Sequence, residues 1–170
     1  MPSLHIVLLE PEIHWNIGNI GRTSLAVGAQ LHLIEPCGFS LDDKQVRRAG
    51  LDYWPRVRLS VWRDWDHFEQ ALPGLGEPTF FSSQAPRTYW EPRYPDRTVL
   101  VFGRESVGLP AALLARHAER TVQIPMGDPA LRSLNLSTAA ALASYEVIRQ
   151  WREAGDVGPA AQTVPALAST

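Results

Sequence analysis

The chain has one cysteine, Cys37, and one lysine, Lys44, in 170 residues. A lone cysteine excludes an internal disulfide and a cysteine-based metal site. His5, His14, His32, His67 and His117 are scattered without an HExxH-like spacing, so no metal is expected. No run approaches the roughly eighteen apolar residues a membrane span needs. The start, MPSLHIVLLEPE, lacks the basic n-region and small-residue cleavage site of a secretory signal. An intracellular, cytoplasmic protein with no membrane partner is expected. The net charge of −2 disfavours a general nucleic-acid binder. Yet every basic residue other than Lys44 is arginine, the side chain suited to bidentate phosphate contacts and base stacking.

What is present is a globular composition, 45% hydrophobic and 20% charged, long enough for one domain with a proper core. Residues 1–152 are expected to form that domain. From about residue 153 the composition falls to Ala, Gly, Pro and Thr, which predicts a disordered tail.

Along the chain, Leu4 to Leu9 is a continuous apolar run of strand length, typical of a buried parallel strand. HWNIGNIGRTSLAVGA reads as an Asn- and Gly-rich turn leading into a helix that ends near Gly28. Gln30 to Ile34 is a second strand, and Asp42 to Ala49 a short basic helix. Val57 to Val61, Thr79 to Ser82, Thr98 to Phe102 and Thr121 to Ile124 are further strands. Helices are expected over Trp62 to Leu72 and Pro110 to about His117. Ala85 to Asp96, with Pro86, Pro92 and Pro95, should be an irregular exposed loop. A long helix then runs to Trp151, with Ser133, Asn135 and Ser137 at its mouth as cap acceptors. Ala139, Ala140, Ala141, Ala143 and Ser144 give it a low profile against which a backbone or ligand can close.

Strands alternating with helices predict an α/β domain, a mostly parallel sheet with helices on both faces. Ligands in such sheets sit at the carboxyl ends of the strands. The polar segments Asn16–Arg22, Ser82–Ala85, Gly103–Gly108 and Gly127–Asn135 all follow strands and should gather at one edge. Common cofactor motifs are incomplete there. NIGNIGR lacks the G-x-G-x-x-G spacing of a dinucleotide site. Gly103 and Gly108 have P-loop separation, but Leu109 and Pro110 stand where Lys and Ser/Thr are required. Ser106 lies in GRESVG rather than G-x-S-x-G.

Taken together, NIGNIGR (16–22), FGRESVGLP (102–110) and IPM…SLNLSTAAA (124–141) resemble the signature motifs of SPOUT-class RNA methyltransferases, in their 2′-O-ribose branch. EPEI (10–13), EPCGF (35–39) and DDKQVRRAGLDYW (42–54) are similar to the minimal tRNA (cytidine/uridine-34)-2′-O-methyltransferases. The resemblance covers residues 4 to 151. It departs from the pattern at His14 and Trp15, where relatives often have proline, and in a longer loop at Gly127–Arg132.

The resemblance implies a C-terminal trefoil knot, S-adenosylmethionine as cofactor, a homodimer, and a tRNA substrate contacted at its anticodon region. It implies that Phe81, Gly103, Ile124, Ser133 and Leu134 line the cofactor pocket. It points to Arg22 as the residue that orients the RNA and stabilises the developing alkoxide, with Asn16 beside it and Glu105, Ser133 and Asn135 in support. Arg47, Arg48, Arg56 and Arg58, interleaved with Tyr53 and Trp54, are candidates for phosphate contacts and base stacking. Two alternatives stay open: 2′-O-methylation elsewhere in tRNA or rRNA, and a non-catalytic RNA- or S-adenosylmethionine-binding protein.

Overall fold

The computed structural model describes residues 1–39 and 52–155. The expected basic helix at 42–49, with Arg47 and Arg48, and the tail beyond 155 lie outside the described residues.

Six strands form one parallel sheet: β1 (Ser3–Leu9), β2 (Gln30–Ile34), β3 (Leu59–Trp62), β4 (Glu77–Phe81), β5 (Arg97–Phe102) and β6 (Thr121–Val122), in the order β3-β2-β1-β5-β4-β6. The chain works outward from β1 to β3, then returns to build the other half beyond it. The β1/β5 gap is therefore the switch point, outside whose carboxyl ends ligands of open α/β sheets bind.

Side chains alternate across the sheet as the strand period requires. Leu4, Ile6 and Leu8 of β1 join Leu31, Leu33, Leu100 and Phe102 under α1 (His14–Val27) and α4 (Leu136–Glu153). Val7, Leu9, Ile34, Val99 and Val101 face the opposite way, toward Phe68 and Leu72 of α2 (Trp65–Leu75) and Leu113 of α3 (Ala111–Arg116). Helices thus cover both faces, and the near-continuous apolar strands follow from double-sided burial. Ala140 and Ala143 are fully buried on the α4 side, in the cluster that includes Ile17 and Ile20 of α1.

Three local expectations need correction. Asn16–Gly21 is not a turn, because α1 already begins at His14. Gly21 serves packing, since a Cβ there would lie 2.6 Å from Trp54; nearby, the Gly18 carbonyl accepts from the Tyr53 hydroxyl at 2.7 Å. The proline-rich segment 85–96 is irregular but not fully exposed, since Ala85, Tyr89 and Tyr94 are buried. Gln150 and Trp151 of α4 pin it by bonds to Pro92, Tyr94 and Pro95. Third, β3 and α2 begin later than expected, at Leu59 and at Trp65 behind the Asp64 cap, whose carboxylate accepts from His67 N–H at 2.8 Å.

Candidate active site

The carboxyl edge of the sheet opens into a cavity of about 530 Å³. All four polar segments reach it: Asn16 from α1, Ser82–Gln84 after β4, Gly103–Leu109 after β5, and Arg132–Asn135 before α4. Phe81, Gly103, Ile124, Ser133 and Leu134 all line it, as do Asn16, Glu105 and Asn135.

A chain of hydrogen bonds ties these segments together. Asn135 caps α4, its Oδ1 accepting from Ser137 N–H at 2.9 Å and Thr138 N–H at 3.3 Å. That leaves its amide nitrogen to donate to Asn16 Oδ1 at 3.0 Å. Asn16 is buried and in turn donates to Glu105 Oε1 at 2.9 Å. Glu105 also accepts from Glu12 N–H at 2.8 Å and Ile13 N–H at 3.1 Å. The cap that the local sequence of α1 does not provide is thus supplied from the loop after β5, with a carboxylate at the positive end of the helix dipole. Three donors occupy most of the acceptor capacity of one carboxylate, roughly four lone-pair sites. Glu105 therefore holds geometry rather than abstracting a proton.

Gly103 is required by the loop itself. A Cβ there would lie 2.2 Å from the Gly108 carbonyl carbon and 2.3 Å from Leu109 N, so the loop folds back on its own first residue. Gly108, at φ +72°, closes that turn in the left-handed region, where glycine carries no Cβ penalty.

Arg22 is not brought into the cavity wall. Six residues beyond Asn16 on a helix, it points to another side. It is exposed, with its guanidinium carbon 4.8 Å from the centre of the Tyr53 ring. Tyr53 itself is only 6% exposed, held by its bond to Gly18 and covered by Arg22. It is a support for Arg22, not a free stacking face for a base. Arg56 is exposed on a short 3₁₀ turn (Trp54–Arg56), and Arg58 is exposed and donates to the Gly28 carbonyl at the end of α1.

Ser106 lines the cavity and bonds to Glu12, which is not part of the wall; no catalytic motif in the sequence marks either residue. Glu12 stands in the EPEI run and Ser106 in GRESVG, two segments whose pairing local spacing does not reveal. Cys37 stands near Glu35 and Glu105; burial foremost, then those carboxylates, pushes its thiol up to about 11, so it remains protonated.

The residues present suit an adenosyl sulfonium cofactor. Ile124, Leu134, Leu136 and Ala139 offer apolar walls for a purine. Among the described residues, the main-chain groups of Ile124, Met126, Ser133 and Leu134 find no hydrogen-bond partner and are available to a ligand. No helix among the described residues is long and apolar enough to cross a membrane, and none of their His, Cys, Asp and Glu side chains cluster to hold a metal ion.

Comparison with known proteins agrees with this geometry. The SpoU rRNA Methylase family matches residues 3–145. A Listeria monocytogenes protein named as a putative tRNA (cytidine(34)-2′-O)-methyltransferase is 46% identical, covering 88% of this chain and 89% of its own. A Burkholderia pseudomallei tRNA (cytidine(34)-2′-O)-methyltransferase is 43% identical, covering 92% and 99%. A solved structure described as giving insights into 2′-OH methylation of C/U34 on tRNA superposes with a TM-score of 0.84 at 44% identity, covering 89% of this chain and 98% of that one. An AdoMet-bound rRNA methyltransferase from Sinorhizobium meliloti superposes at 0.76 with 25% identity, covering 86% and 56%. With the polar segments gathered at the switch point and the match running almost end to end, the chain belongs to the SpoU methylase family.

Proposed function

We propose that this protein transfers a methyl group from S-adenosylmethionine to the ribose 2′-OH of nucleotide 34, the wobble position, of tRNA. The observation that carries the reading is Asn16, bonded on one side to Glu105 and on the other to Asn135 at the wall of one cavity. Relatives 41–46% identical over most of the chain, whose names specify cytidine 34, support the choice of nucleotide.

S-adenosylmethionine supplies a methyl group already activated on a sulfonium. This chain's residues then have two tasks: to hold the ribose hydroxyl in line, and to stabilise negative charge on its oxygen as the proton leaves. Positioning alone is worth about 7–11 kcal/mol at best. The Gly103–Leu109 turn and the Ser133–Asn135 segment would hold the cofactor with main-chain groups. Asn16, fixed at both ends of its amide, keeps the start of α1 at a set distance from that turn. Arg22 serves as an electrostatic and orienting group rather than as a base, because guanidinium is a poor proton acceptor. Its exposed place over Tyr53 suits a group that meets an RNA phosphate from outside the cavity.

The reading includes a homodimer, a contact with the anticodon region, a trefoil knot in the C-terminal half and action in the cytoplasm. Trp15 of α1 and Leu142 and Tyr145 of α4, 59%, 40% and 54% exposed, support a partner copy packing on that side. Nucleoside mass spectrometry of tRNA treated with protein and labelled cofactor tests the function. Label in 2′-O-methylcytidine or 2′-O-methyluridine at position 34 is expected. Label at another position, or cofactor binding without turnover, would replace it with one of the alternative readings.

A further inference from the structure

Residues 10–13, the EPEI run between β1 and α1, occupy the switch point of the sheet and touch three neighbouring segments. Glu10 N–H donates to the Ile34 carbonyl at 2.8 Å, and the Pro11 carbonyl accepts from Gly38 N–H at 2.9 Å. Gly38 packs so closely that a Cβ would lie 2.8 Å from the Glu12 carbonyl oxygen. On the other side stands the loop after β5. Glu12 N–H and Ile13 N–H donate to the Glu105 carboxylate. In return the Glu12 carboxylate accepts from Ser106 N–H at 2.9 Å and from Ser106 Oγ–H at 2.8 Å. Arg104 also pairs with Glu10. Each loop therefore offers a carboxylate to the other's amides, and the two grips lie one residue apart on the β5 loop.

We propose that Glu12 is a positioning residue for methyl transfer. Through this reciprocal clasp it sets how far Asn16 stands from the Gly103–Gly108 turn. The proposal rests on the function stated above. Glu12 is half-buried and Ser106 exposed, away from both apolar cores, so the clasp adds little to global stability. Its consequence lies in alignment, where a misplacement of about 1 Å costs on the order of 100-fold in rate.

Glu12→Ala removes the Glu12 half of the clasp, the two bonds from Ser106, and leaves Glu105 on the main-chain N–H groups of residues 12 and 13. Glu12→Gln keeps that half, because the Gln carbonyl accepts from Ser106 N–H while its amide donates to the serine oxygen. In single-turnover methylation of a tRNA carrying cytidine 34, Glu12→Ala is expected to be slower by roughly 10–100-fold, with Glu12→Gln within about threefold of the unaltered protein. S-adenosylmethionine affinity by calorimetry should move by less than about threefold in both. Wild-type turnover in Glu12→Ala, a rate loss matched by an equal loss of cofactor affinity, or no recovery with Gln would each overturn the proposal. Amide exchange needs no substrate: segment 103–108 should exchange about tenfold faster in Glu12→Ala and normally in Glu12→Gln. Unchanged exchange sinks the clasp whatever RNA is methylated. The expected exchange pattern in a protein inert toward tRNA would sink the assigned reaction and leave the clasp standing.

Discussion

The side-chain amide of Asn135 donates to Asn16 Oδ1 at 3.0 Å, across 119 residues of sequence. One residue caps α4 and the other belongs to the first turn of α1, so the bond couples the starts of the two helices that share one face of the sheet. Because Asn16 passes the link on to Glu105, the three segments at the cavity are held as one unit.

Replacing Asn16 by Ala leaves the Glu105 carboxylate and the Asn135 amide each short of a partner. A cost of about 1–3 kcal/mol in urea-induced unfolding is expected, since buried polar groups are left unsatisfied. Methylation should fall on the order of 100-fold. Asn16→Asp should be worse than Ala in stability, because it sets a second carboxylate against Glu105 at the 2.9 Å now spanned by a hydrogen bond. Equal stabilities for the two variants would contradict the assigned donor direction.

Gly103→Ala tests the folded-back turn. With backbone atoms 2.2–2.5 Å from the new Cβ, no side-chain rotation relieves the clash. The variant should lose about 3 kcal/mol of stability or more and should not bind S-adenosylmethionine measurably in a calorimetric titration. Normal affinity would show that the turn is free to open without loss.

Arg22→Ala should keep cofactor affinity, because Arg22 lies outside the cavity wall, and lose turnover by roughly 100–1000-fold. Tyr53→Phe keeps the ring beneath Arg22 but removes the bond to the Gly18 carbonyl. About 1 kcal/mol of stability should go, with turnover nearly intact. An Arg22→Ala protein that loses affinity and turnover equally would remove its assigned role.

A pH test concerns the core rather than the site. Trp62 Nε1–H donates to His32 Nδ1 at 3.0 Å, and indole can only donate, so His32 carries its proton on Nε2 and gives it to His5 Nδ1 at 3.0 Å. Burial first, then the neighbouring His5, lowers His32 to about 3, and burial first lowers His5 as well. The unfolded chain takes up these protons near pH 6.5. Stability from the pair is thus complete above that pH and is lost as pH falls toward 3. For His32 the loss amounts to roughly 4–5 kcal/mol at the acid end. Unfolding free energies of the unaltered protein and His32→Leu should converge as pH drops from 6.5; parallel curves would refute it.

The sequence alone determined the layers and the edge where chemistry is placed. Apolar runs such as LHIVLL and TVLVF are of strand length and suit burial on both faces, and the polar segments that follow them fall at the carboxyl ends. Its motifs also drew attention to Asn16, Glu105, Ser133 and Asn135, which the fold brings to the wall of one cavity. Tertiary structure decided what local rules could not. NIGNIG looks like a turn by composition, yet it is helix: Glu105 caps it from 89 residues away, and Trp54 needs Gly21 bare. Tyr53 looks like a base-stacking ring until its hydroxyl finds Gly18. The Glu12–Ser106 clasp joins residues 94 apart. Such partners meet only after the β1 and β5 strands pair, and sequence spacing carries no record of which loops that pairing brings together.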